Sequence, residues 1–297
     1  MGENIFDIAV VGGGPAGMTA ALYAARQGRN VVLIEKQALG GQALFSDNIE
    51  NIPGISSISG AEWALNFEEQ LNKYNVKILS DTVLSISTGV KRFNIVTTSG
   101  MFNAKSIILA NGVKHRLPNI PNIENLIGHG VSVCATCDGD FYHDKVVAVI
   151  GGGNTAAQDA LLLSQNGNKV CILQNLSMLT CEDTLKNRLE NDPNTTICYN
   201  IHLKSISKVN TKIYLEDETS LWRVDGVFIA IGMAPDNERF SRLVVLDNGG
   251  FFGKPIVPGV FTAGDCRRKP YRQITTACAD GTIAALDACA FLDRENL

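Results

Sequence analysis

The sequence predicts an α/β protein built as two three-layer domains, one inserted into the other. Three observations predict this. A strand, glycine turn, helix and second strand open the chain, and the same order recurs from Val146. The last sixty or so residues hold a strand and an alanine-rich helix but no glycine turn of their own, so their simplest role is to complete the first domain.

The first unit begins with the apolar strand Phe6–Val11 and runs into Gly12-Gly13-Gly14-Pro15-Ala16-Gly17. A helix is expected over Met18–Gln27, then a strand Val31–Ile34 that ends in Glu35. This is a Rossmann-like βαβ unit with a G-x-G-x-x-G turn. Its glycines let the backbone approach a pyrophosphate at the positive end of the helix, and an acid about 20 residues on can accept ribose hydroxyls. A lone glycine pattern could be only a tight turn. The strand, helix, second strand and terminal acid together favour a dinucleotide.

In the second unit, Val146–Ile150 precedes Gly151-Gly152-Gly153-Asn154-Thr155-Ala156, with a helix to about Gln165 and a strand Lys169–Leu173. Alanine replaces the third glycine, a variant of the same motif. Gly151, Gly153, Asn154, Thr155 and Ala156 are therefore possible nucleotide-binding residues. Two such modules imply two dinucleotides, or one dinucleotide and a decayed site. Leu117–Asn122 reads as a linker, and a polar segment Ala234–Glu238 follows the strand ending at Gly232. We place the outer domain at 1–114 plus 243–297 and the inserted one at 115–242, with connections near 113–120 and 240–248.

Of 297 residues, 45% are hydrophobic and 19% charged, with a net charge of −4. That balance describes an ordinary globular chain and gives no reason to expect nucleic acid or an anionic membrane as partner. No apolar run reaches the roughly 18 residues of a membrane span, and the start Met1–Asp7 lacks the basic and apolar parts of a leader. A cytoplasmic protein is expected.

Among eight cysteines, only Cys134 and Cys137 are close in sequence. A zinc site would need a second pair or paired histidines, and His115, His129, His143 and His202 supply none, so no metal is expected. Two inert core thiols would suit a plainer apolar run than one flanked by Thr136, Asp138 and Asp140. A dithiol/disulfide that exchanges electrons is the reading that fits.

At these residues the chain resembles the low-molecular-weight thioredoxin reductases, FAD-dependent pyridine nucleotide-disulfide oxidoreductases of class II, along nearly its whole length. The matching landmarks are Gly12–Gly17 with Glu35, Gly40-Gly41-Gln42, Glu50–Gly54, Cys134–Asp138, Gly151–Ala156, Gly264-Asp265 and Arg272-Gln273. The resemblance implies a homodimer with FAD in the outer domain and an inserted domain carrying the disulfide and a pyridine-nucleotide site. It implies that Glu35 holds the adenosine ribose, that Gly41, Gln42, Asn51 and Val83 line the FAD site, and that Asp265 binds the ribityl chain beside Gly264, Arg272 and Gln273. Cys137 would face the flavin, Cys134 would attack the substrate disulfide, and Asp138 would move the proton. On its own residues Asp138 can equally be a helix cap or turn residue. The resemblance further implies that the inserted domain rotates about its two connections.

The chain departs from the family after the second turn. Members that use NADPH carry His-Arg-Arg there and another arginine four residues on, which clasp the 2′-phosphate. Here stand Gln174-Asn175-Leu176 and Thr180. NADPH is therefore the least expected donor, with NADH or reduced ferredoxin as alternatives. Asn111 replaces a usual threonine, and Asp140 stands where an aromatic is common; a second carboxylate close to the thiols would raise their pKa. The expected activity is reduction of thioredoxin or a similar disulfide protein. The alternatives are a flavin-dependent oxidase of small dithiols with oxygen as acceptor, and a non-enzymatic redox sensor.

Overall fold

The structure, a computed structural model, describes residues 5–46 and 48–297 apart from the side chain of Phe45. Residues 1–4, on which part of the leader reading rests, lie outside the described residues. The chain divides into two compact units, residues 1–114 with 234–297, and residues 115–233.

The first unit opens with β1 (Ile5–Val11), α1 (Pro15–Arg26) and β2 (Val31–Glu35). The helix starts three residues before the expected Met18, because Pro15 takes the first helical position, where a missing N–H costs nothing. There follow α2 (Gly60–Lys73), β3 (Lys77–Ser80), β4 (Val83–Thr88), β5 (Phe93–Thr97), β6 (Met101–Leu109) and β7 (Val113–His115). The strands β3, β2, β1 and β6 are parallel, and β5 and β4 extend the sheet as an antiparallel meander.

The second unit holds β8 (Val131–Ser132), α3 (Ala135–Asp138), β9 (Val146–Ile150), α4 (Asn154–Gln165), β10 (Lys169–Leu173), α5 (Asp183–Glu190) and β11 (Thr195–Cys198). The antiparallel strands β12 (Ser205–Val209), β13 (Lys212–Glu216) and β14 (Leu221–Val224) then precede β15 (Gly226–Ile229). Its parallel sheet runs β11-β10-β9-β15-β8. One face packs on α4 and the other on residues of the three-stranded sheet, with Val149 and Ala160 buried on the first side and Ile150 and Leu215 on the second.

The chain returns to the first unit through β16 (Met233–Pro235), which pairs with β7, so the two crossings run side by side. It continues with β17 (Val244–Leu246), β18 (Phe252–Pro255), β19 (Val260–Thr262) and α6 (Ile274–Arg294). β19 joins the far half of β6, and α6 lies against α1. That contact is backbone-close: a Cβ on Gly281 would stand 2.2 Å from the Ala16 carbonyl oxygen. α6 contains an 18-residue window of mean hydropathy 1.2, which exceeds the sequence expectation for any apolar run, but Ala277, Ala284, Ala285 and Ala288 are buried in the core shared with α1.

Two expected boundaries move. The second crossing falls at Met233/Ala234 and not near 240–248. The Asn237 side chain donates to Gly250 O and Cys266 O, both at 2.9 Å, and Phe240 packs on Phe252, so this polar stretch is anchored in the first unit. Nor is Leu117–Asn122 a linker. Ile120 and, one residue beyond, Ile123 are buried in the core of the second unit.

Candidate redox and nucleotide sites

β8 ends one residue before the cysteine run, and Cys134 forms the N-cap of α3. Cys134 and Cys137 are joined by a disulfide. The short helical turn returns the Cys137 N–H to Cys134 O at 3.2 Å, which brings the two side chains together. Ser132, absent from the sequence reading, organises the site. Its hydroxyl donates to Asp138 Oδ2 at 2.5 Å and accepts the Cys134 N–H at 3.0 Å. Asp138 is thereby tied to the backbone of the disulfide; it makes no side-chain cap bond. A serine six residues before an acid carries no recognisable spacing, so only the fold reveals the pair. The Asp140 carboxylate is 81% exposed and accepts from Asn166 Nδ2 at 2.9 Å, a solvated position from which a charge acts weakly on neighbours.

The free thiols are a different population. Cys171 and Cys198 lie on β10 and β11 with sulfurs 3.6 Å apart, and burial pushes the Cys171 thiol up to about 12. Cys266 is fully buried and likewise raised to about 12. Such thiols are poor sources of thiolate.

At the first glycine turn, Gly12 has φ +106°, and a Cβ there would stand 2.4 Å from Ala110 O at the end of β6. A Cβ on Gly17 would stand 1.8 Å from Gly12 O, so the helix start rests directly on the turn. The Gly13 N–H donates to Glu35 Oε2 at 2.6 Å, and the Gln37 N–H to Oε1 at 2.9 Å. An ideal Cβ on Gly14, the N-cap of α1, would meet only Gly41 Cα, in ordinary contact at 3.9 Å. Gly264 meets Ala16 from the other side. Residues 12–17, 35, 41 and 264–265 therefore converge at the crevice beyond the ends of β1 and β6, the place where open parallel sheets bind ligands.

The remaining predicted residues lie around this crevice or in the core. Gln42 Nε2 donates to Val113 O at 3.1 Å, and Asn51 Nδ2 to Gln273 Oε1 at 3.2 Å. The Arg272 guanidinium stacks over Phe251 at 4.7 Å. Val83 is buried in the core, where its carbonyl accepts from Arg239 Nη1 at 2.9 Å. Three buried polar atoms here lack a hydrogen-bond partner: Asp265 Oδ1, Arg272 Nε and Asn111 Oδ1. Buried polar atoms are nearly always satisfied, so these three, like Arg29 Nε and Asn103 Oδ1 elsewhere, are open to a further partner. Burial holds the Asp265 carboxyl above its ordinary value, against the opposing pull of Lys269 and Arg272.

The second turn has the same backbone and different chemistry. Gly151 has φ +134°, with Ala230 O 2.5 Å from its ideal Cβ. Gln174, 3% exposed, lies flat on Gly152, the place that Glu35 holds over Gly13. Its amide donates to Met178 O and accepts from the Asn175 N–H, each at 3.0 Å, so it serves its own loop. Thr180 donates its backbone N–H to Gly152 O at 2.8 Å, and Asn154 exchanges two hydrogen bonds with Glu182. Among the described residues no group of three or more His, Cys, Asp or Glu side chains could hold a metal.

Residues 6–281 match the family described as pyridine nucleotide-disulphide oxidoreductase. The chain belongs to that family. It is 36% identical over 305 residues to a thioredoxin reductase of Treponema pallidum (strain Nichols), covering 98% of each chain. It is 33% identical over 296 residues to one from Bacillus subtilis (strain 168), covering 95% of this chain and 93% of that one. The crystal structure of thioredoxin reductase from Streptococcus pyogenes MGAS5005 superposes with a TM-score of 0.92 at 34% identity, covering 99% of this chain and 100% of that chain. The family's two-domain Rossmann-like architecture is the fold described above.

Proposed function

We propose that this protein is a flavin-dependent thioredoxin-disulfide reductase whose Cys134/Cys137 pair delivers electrons to thioredoxin or a similar disulfide protein. The observation that carries the reading is the disulfide at the start of α3, with Asp138 held against it by Ser132. FAD suits the first crevice. Gly12–Gly17 would take its pyrophosphate and Glu35 its ribose, and the orphaned atoms of Asp265, Arg272 and Asn111 are available to its polar groups. When bound it would supply two-electron transfer to the disulfide, chemistry that no side chain provides.

The chain's own residues account for the exchange. Once the pair is reduced, the Cys134 thiolate attacks one sulfur of the substrate disulfide and the other sulfur leaves. Cys137 then attacks Cys134 in the mixed disulfide, which restores the internal bond and frees the reduced substrate. Asp138 takes the proton from the attacking thiol and returns it to the departing sulfur. The paired crossing strands β7 and β16 are the hinge of the alternation that the resemblance implies.

We further infer that the physiological donor is not NADPH. Gln174, Asn175, Leu176 and Thr180 bring no positive charge to the second turn, and the Gln174 amide is bonded within its own loop. NADH or reduced ferredoxin fits better. A homodimer in the cytoplasm completes the reading, with six unpaired thiols in keeping with a reducing compartment.

Anaerobic titration tests both parts. Dithionite-reduced holoprotein should reduce thioredoxin disulfide, and Cys134→Ser should abolish this. Failure to reduce any small disulfide protein, or, in a separate aerobic assay, peroxide release on mixing with small dithiols without thioredoxin turnover, would sink the substrate reading, the latter in favour of the oxidase. Flavin bleaching by low-micromolar NADPH would sink the donor reading.

A further inference from the structure

Behind Asp265 lies an ion network that no motif announces. Lys269 Nζ stands 2.9 Å from Asp280 Oδ2 and 3.5 Å from Asp265 Oδ1, and its side chain is 12% exposed. Arg267 Nη1 approaches Asp280 Oδ1 at 3.3 Å, and the Gly264 N–H donates to Asp280 Oδ2 at 3.1 Å. The network therefore ties the first third of α6 to the backbone just before Asp265. On the other side, Gly264 has φ +80° and its ideal Cβ would be 2.6 Å from Ala16 Cβ, so the segment is wedged against the first turn of α1.

Two carboxylates share one ammonium here. Side by side and partly buried, they would repel, and without a cation one of them would hold a proton at neutral pH. Asp265 Oδ1 is buried and faces Lys269 at 3.5 Å without accepting a hydrogen bond, which leaves it acceptor capacity for a ligand. A carboxylate accepts from a hydroxyl more strongly than a neutral acid does, so its charge state bears on binding.

We propose that Lys269 is a positioning residue of the FAD site: held by Asp280, it keeps Asp265 an oriented, ionised acceptor for a hydroxyl of the bound flavin nucleotide. This rests on the flavin reading above. The charged groups facing Asp265 are Lys269 and Arg272 from its own loop and Asp280 from α6; the first turn of α1 contributes no titratable side chain. Burial already raises the Asp265 carboxyl, and Lys269 is the largest opposing influence. Its loss should move protonation of Asp265 toward neutral pH.

The test is FAD affinity of the full chain, measured by fluorescence during reconstitution between pH 5 and 8. Lys269→Met should weaken binding about tenfold at pH 7, and the pH below which affinity falls should rise by about one unit. Lys269→Arg should restore both. Asp280→Asn keeps an oxygen for the Gly264 N–H and leaves Lys269 to Asp265 alone, so its falling limb should move to lower pH. This opposite shift can be read even if Lys269→Met does not fold. Variants with wild-type affinity and pH profile would overturn the role of Lys269. A wild-type protein that takes up no FAD would instead overturn the flavin reading itself.

Discussion

The two glycine turns share a backbone and differ in what faces it. At the first, Glu35 accepts the Gly13 N–H, and α1 sits so close that a methyl on Gly17 would strike Gly12 O at 1.8 Å. At the second, alanine occupies the matching place, and a neutral glutamine bonded into its own loop replaces the acid. Conserving a turn thus conserves a fold, whereas the residue at the end of the following strand decides what the turn can hold. The first turn faces a carboxylate, the second a neutral amide.

The sharpest test of this difference is a matched pair of substitutions. Gly12→Ala, with its positive φ and 2.4 Å clash, should yield protein without flavin, whereas Gly151→Ala should keep its flavin, read from absorbance of the purified proteins. Equal flavin loss in both would break the comparison. Next in size, the graft Gln174→His, Asn175→Arg, Leu176→Arg and Thr180→Arg should tighten NADPH binding about a hundredfold, since each charged hydrogen bond contributes roughly 1.5–3 kcal/mol and some is lost to reorganisation of the loop. Stopped-flow flavin reduction would report it, and no gain would mean that something other than charge closes the second site.

A smaller effect is expected at the first site from Glu35→Gln. It keeps an oxygen for the Gly13 N–H but loses the charge, and should weaken FAD binding about tenfold. The smallest concerns the helices. At the place where α1 has buried Ala20, α4 has Asp159, whose carboxyl burial raises to about 7. A folded-state value above the unfolded one means that stability falls as pH rises from about 4 to 7. Asp159→Ala should therefore raise the melting temperature at pH 8 by about 2–4 °C, with the gain shrinking toward pH 5. An equal gain at both would assign it to helix propensity alone.

Much of this was legible in the sequence, and what was not has a common cause. Glycine turns, Glu35 and the cysteine pair are read from local spacing, because strand, turn and helix follow one another along the chain. Ser132, Lys269 and Asp280 are not, since their partners are set by packing and ordinary polar residues carry no period. The same holds for the second crossing. Asn237 looks like any loop residue until its bonds to Gly250 and Cys266 are seen. Ile120 and Ile123 were hidden among the prolines and asparagines of an apparent linker, although their burial makes that stretch part of a core.

The close contact of Gly281 with Ala16 also sets an order of assembly. The flavin crevice needs β19 and α6, which leave the ribosome after residues 115–233, themselves a compact unit. At about 5–20 residues per second, synthesis of the remaining segment takes on the order of seconds. During that interval the redox pair can already be folded while the N-terminal β-α-β unit still waits for its closing helix. Ribosome-bound chains with residues 1–240 exposed should thus resist protease across 115–233 and remain cleavable before it. Newborn protein would acquire its disulfide chemistry before its cofactor.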